Sequence, residues 1–123
     1  MTDQELMELK KLTNQLLELN EQAFLYFKEY SQEGKEADFF ETVKPFADRV
    51  KDSIEIWLPK VSVWLAWEKP DYLHKQQIDQ MIENFEVLSV HCFQKDTKKK
   101  RFIERYKSIE YTLSLVTFSD KTN

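Results

Sequence analysis

Glycine is nearly absent from this chain: Gly34 is the single one in 123 residues. Hairpins and sheet corners need glycine where φ must be positive, so a turn-rich β fold is excluded on composition. Cysteine is equally scarce. Cys92 stands alone, and no internal disulfide can form. No apolar run approaches the roughly 20 residues that cross a bilayer. The start, Met1-Thr2-Asp3-Gln4-Glu5, lacks the basic-then-apolar form of a signal peptide, so the expected location is the cytoplasm. Histidine occurs at two positions, His74 and His91. That leaves little material for a metal centre.

What is present points to helices. Hydrophobic residues make up 41% of the chain and aromatic residues 14%, enough for a core. Leu, Glu, Lys and Gln are abundant, and they favour helix. The length suits one domain. The net charge of -4 and isoelectric point near 5.3 argue against a nucleic-acid binder acting through its whole surface. The charge is uneven: residues 1–41 carry net -6, residues 42–94 net -2 and residues 95–123 net +4.

Periodicity predicts a single all-α domain over residues 1–123, an up-and-down antiparallel four-helix bundle. The first helix is expected over about 3–33, capped by Thr2 or Asp3 and stopped by Gly34. Leu6, Leu9, Leu16, Ala23, Phe27 and Tyr30 form its core row, with Thr13 and Asn20 in the same line. Asp38 caps a short turn at 39–43, with Glu41 three residues on. Pro45 then opens the second helix, 45–68, where its missing N–H does no harm. Ala47, Val50, Ile54, Trp57, Val61 and Trp64 are its row, and Pro59 is expected to kink it near Glu55. The third helix, 75–93, is capped by His74 or Asp71 and buries Ile78, Met81, Phe85, Leu88 and Cys92. Thr97 caps the fourth, 98–118, whose row is Phe102, Tyr106, Ile109, Leu113 and Val116. The tail from Ser119 to Asn123 is expected to fray. Short connections at 69–74 and 94–97 make neighbours antiparallel.

No catalytic constellation emerges. A metal site in a bundle needs inward Glu residues and Glu-x-x-His pairs, which neither histidine supplies. His91 and Cys92 are adjacent on a helix and point about 100° apart, so they make no nucleophile–base pair. Cys92 reads as a small buried hydrophobe. Trp57 and Trp64 read as core. Trp67 lies off the row and is the candidate for an exposed aromatic groove. Lys95, Lys98, Lys99, Lys100, Arg101 and Arg105 put cations at a helix start, against the dipole. Two compensating partners are open: an external anion, or the acidic connection at the same end. The expected internal pairing is Asp38 or Glu41 with Lys100 or Arg101. Phe39 and Phe40 are expected to plug that end.

Four stretches carry a resemblance. They are Asp38-Phe39-Phe40-Glu41-Thr42-Val43-Lys44-Pro45, Lys69-Pro70-Asp71-Tyr72-Leu73-His74-Lys75-Gln76-Gln77-Ile78, Lys99-Lys100-Arg101-Phe102 and Tyr111-Thr112-Leu113. Taken in order, they resemble the YppE-like family of small helical-bundle proteins from Bacillus-type Gram-positive bacteria, a domain of unknown function. The resemblance implies a bundle and a bacterial cytoplasm, and brings no activity, cofactor or catalytic residue. The expectation is a non-enzymatic interaction or adaptor protein with no cofactor and no membrane contact, a monomer or weak dimer with an unidentified protein partner. The alternative is anion or nucleic-acid binding through Lys98–Arg101.

Overall fold

The computed structural model describes residues 1–117. Among them four α-helices follow in order: α1 Asp3–Tyr30, α2 Lys44–Glu68, α3 Lys75–His91 and α4 Lys99–Leu115. They form the four-helix bundle that the periodicity predicts. Packed neighbours are α1 with α2, α2 with α3, α3 with α4 and α4 with α1, and α1 also reaches α3 across the middle. The last two helices stop short of expectation: α3 ends at His91 rather than Phe93, and α4 ends at Leu115 rather than 118, with Val116 already extended; the tail from Ser119 lies outside the described residues.

The helix ends obey local chemistry. Thr2 caps α1 with a reciprocal capping box: its Oγ1 accepts from the Glu5 N–H at 3.1 Å, and Glu5 accepts from the Thr2 N–H at 3.0 Å. The helix stops at Tyr30 rather than Glu33, and Gly34, at φ +82, turns the chain just beyond. His74 opens α3, its N–H donating to the Gln77 side chain at 2.7 Å. Pro70 pushes Lys69 out of the helical region, and Lys69 closes α2 in the left-handed conformation at φ 49. Thr97 does not cap α4. Its hydroxyl turns back to donate to the His91 carbonyl at 2.9 Å, and Lys98 is the residue before α4, with no side-chain cap.

The turn before α2 is a π-helical segment, Phe39–Val43, that runs directly into the helix. Asp38 caps it by accepting from the Glu41 N–H at 2.8 Å. A wider turn suits this place, because Pro45 offers no N–H to the Glu41 carbonyl and its ring crowds that oxygen. Pro59 sits inside α2, which continues across it. The Glu55 carbonyl loses its helical partner there, and Glu55 and Pro59 are both exposed residues.

The core is built mainly on the rows the spacing marks; Leu6, Tyr30 and Tyr106 are only half-buried, and Leu73 and Phe93 join it from the connections. Leu9, Leu16, Val50, Trp57, Val61, Trp64, Phe85, Leu88 and Ile109 are fully buried. Phe46 replaces Ala47 at the start of the α2 row. The two polar residues in the α1 row have partners that explain them. Trp57 Nε1 donates to Thr13 Oγ1 at 2.9 Å, and Thr13 donates on to the Leu9 carbonyl at 2.7 Å. Asn20 Nδ2 donates to the Tyr106 carbonyl at 3.1 Å. Phe27 stacks on Phe102 at 4.1 Å. Cys92 is buried, and loss of solvent pushes its thiol up to about 12.

Two predictions follow from this packing. Thr13→Val keeps the shape and strips Trp57 of its acceptor, so urea denaturation should show a loss of about 1–3 kcal/mol. A loss below about 0.5 kcal/mol would show that this bond does not matter. For Cys92, the folded chain holds a proton that the unfolded chain releases from about 9 upward. The stability it contributes is complete below that value and declines as pH rises toward 12. At about pH 8 a thiol reagent should therefore label Cys92 at least about 100-fold more slowly in native than in urea-unfolded protein. Equal rates would contradict the burial.

Candidate functional site

Two surfaces hold the residues that the sequence singles out. The first is the end of the bundle where α1 and α3 finish and α2 and α4 begin. The connection from α1 to α2 runs along one side of this end, and the turn from α3 to α4 along the opposite side. Between them sits an aromatic plug. Phe93 packs on Tyr26 at 4.8 Å, Tyr30 at 5.5 Å and Phe46 at 5.9 Å between ring centroids. These rings close the end, not Phe39 and Phe40. That pair is 57% and 77% exposed, stacked edge-to-face on each other at 5.1 Å. The π-helical turn carries both rings outward, away from the plug.

The expected pairing of Asp38 or Glu41 with Lys100 or Arg101 is not formed. Among the described residues the ion pairs are Lys44–Asp48, Lys60–Glu8 and Lys75–Asp79. The reason is topological: α2 and α4 are the diagonal pair of the bundle, so their starts share an end but not a side. Asp38 also uses its carboxylate to cap its own turn. Lys99, Lys100 and Arg101 are exposed, and Arg105 is half-buried. Lys98, Lys100, Arg101 and Glu104 line a depression of about 250 Å³. The first turn of α4 contains no acidic residue to offset the helix dipole.

The second surface is the outer face of α2. Trp57 and Trp64 are fully buried, while Trp67 is 43% exposed. Ile56 and Val63, which the sequence reading passed over, are 56% and 51% exposed. Steps of seven and then four place Ile56, Val63 and Trp67 in one line along the helix, about 16 Å long. The signal was available as a second apolar row beside the core row. Met1, Glu5, Pro59, Lys60 and Val63 line a trough of about 230 Å³ next to this line, between α1 and α2. The Lys60–Glu8 pair at 3.3 Å bridges the two helices there.

Chemistry-bearing groups are otherwise dispersed. Among the described residues no three His, Cys, Asp or Glu side chains stand close enough to hold a metal ion. No described helix is long and apolar enough to cross a membrane. The Tyr106 hydroxyl, partly withdrawn from solvent and donating to Glu21, titrates well above the usual tyrosine range. It links α1 to α4.

The same fold and sequence pattern recur in known proteins. Residues 13–118 match the model of a bacterial domain of unknown function, DUF1798. The chain is 30% identical over 108 residues to the uncharacterized protein YppE of Bacillus subtilis, covering 88% of each. The crystal structure of YppE superposes with a TM-score of 0.86 at 28% identity, over 99% of this chain and 97% of that one. A Listeria innocua protein of unknown function superposes with a TM-score of 0.85 at 33% identity, over 91% of this chain and 90% of that one. A matched family pattern across most of the chain, on the same bundle, places it: this chain belongs to the bacterial DUF1798 family, whose function is unknown.

Proposed function

We propose that this is a non-enzymatic interaction protein of the bacterial cytoplasm, presenting the outer face of α2 to an apolar segment of a partner protein. The observation that carries the reading is the exposed line Ile56, Val63 and Trp67 beside the trough at Met1 and Pro59. Scattered exposed apolar residues are ordinary; an aligned set ending in a half-exposed tryptophan is the kind of surface that anchors a partner. The non-enzymatic part is supported by Cys92, whose thiol is buried and protonated. His74, for its part, marks the start of a helix. A photo-crosslinking amino acid at position 67 should give a defined adduct in cells, and the same group at Tyr111, also exposed, should not. Val63→Glu should reduce the adduct at least about fivefold, as burying a charge in an apolar contact demands. Equal labelling from both positions, or an adduct indifferent to Val63→Glu, would overturn the reading.

A second reading rests on the start of α4. Lys98, Lys99, Lys100 and Arg101 form no ion pair among the described residues, and the helix N-terminus beside them favours anions. This reading requires a gel shift with nucleic acid that weakens with salt and is lost in Lys99→Glu/Lys100→Glu. Absence of any shift at low salt would remove it.

A further inference from the structure

The two charged connections at the plugged end have no partners in each other, yet they are complementary. On the α1–α2 side stand Glu33, Glu36, Asp38 and Glu41, all exposed, with Lys35 as the one cation of that stretch. On the α3–α4 side stand Lys95, Lys98, Lys99, Lys100 and Arg101, also exposed, with Asp96 as the one acidic residue of that stretch. Within a molecule the aromatic plug of Phe93, Tyr26, Tyr30 and Phe46 separates them. Phe39 and Phe40 project from the acidic side with no cover.

We propose that this end is a self-association surface. Two copies meet end to end about a two-fold axis lying across the end face between the two connections. That axis lays the acidic, phenylalanine-bearing side of each copy over the basic side of the other. A two-fold contact repeats every interaction, so one complementary pair of sides becomes two. Phe39 and Phe40 then lie against the cationic start of the partner's α4, where Arg and Lys pack well on ring faces. The basic residues there gain the negative neighbours that the helix dipole asks for. A second copy is the fitting occupant because it carries the complementary charge on the same face, at the spacing set by the bundle itself. A polyanion finds its own sign of charge at Glu33, Glu36 and Glu41 across the plug, so it can use only the basic side of this end, whereas a second copy uses both. The Ile56–Trp67 line lies along α2 away from this end, so this inference stands or falls independently of the partner-binding reading.

Sedimentation of the full chain tests it, from about 10 µM to about 1 mM, at about 50 mM and about 500 mM NaCl. Dimer should grow with concentration at low salt, and its dissociation constant should rise at least about tenfold at high salt as the charges are screened. Two charge reversals separate the sides. Lys99→Glu/Lys100→Glu/Arg101→Glu makes both sides acidic, and Glu33→Lys/Glu36→Lys/Glu41→Lys makes both basic. Each variant alone should be monomeric, and an equimolar mixture should dimerise again. All six positions are exposed, and acidic residues at the start of α4 favour the helix, so folding survives. Phe40→Ser changes no charge and should also weaken the dimer several-fold. A wild-type chain that stays monomeric at low salt overturns the proposal. So does a dimer indifferent to both reversals, or a mixture that fails to recover.

Discussion

The register of α1 on α2 depends on one buried bond. Trp57 is fully enclosed, and its indole N–H must find an acceptor inside the protein or cost the desolvation of a polar group. Thr13 supplies that acceptor at 2.9 Å, and its own hydroxyl donates a hydrogen bond to the Leu9 carbonyl. With position 13 fixed against position 57, Glu8 comes opposite Lys60 and Tyr26 comes against Phe46. Those contacts span much of the length of the two helices, so a slip of one turn would forfeit all three at once. Asn20 makes the corresponding tie to α4 through the Tyr106 carbonyl. Two polar residues in an otherwise apolar row thus fix how three helices are aligned.

That alignment has consequences at the surface. The core rows take one face of each helix, and α2 retains a second apolar line, Ile56, Val63 and Trp67, that stays about half exposed. At the plugged end, Phe93 fills the space between α1 and α2 and leaves Phe39 and Phe40 outside. The bundle therefore separates opposite charges that share an end, and keeps exposed aromatic residues that share a connection.

Much of the fold was readable in the residues. The rows Ile78–Met81–Phe85–Leu88–Cys92 and Val50–Ile54–Trp57–Val61–Trp64 are buried as their spacing requires. The caps at Thr2 and Asp38 act through side chains that their positions announced. Less of the candidate site was legible. Thr97 has the chemistry of a cap, but its hydroxyl donates backward across the turn to the His91 carbonyl instead. Phe39 and Phe40 are apolar, and apolarity alone says inside. Their outward direction goes with a π-helical turn that Pro45 favours but that the apolarity of the two residues does not announce.

By itself the sequence determined which residues form helices, which stripe of each is buried, and that neighbours run antiparallel. These follow from periodicity, caps and short connections, all of which act within a few residues of themselves. Only the tertiary structure decided the sides: α2 diagonal to α4, the acidic connection across from the basic turn, and Ile56, Val63 and Trp67 left in the open. The choice of sides belongs to the packing of whole helices. It depends on how each is rotated and docked against the others, and that depends on contacts such as Trp57 with Thr13, 44 residues apart in the chain.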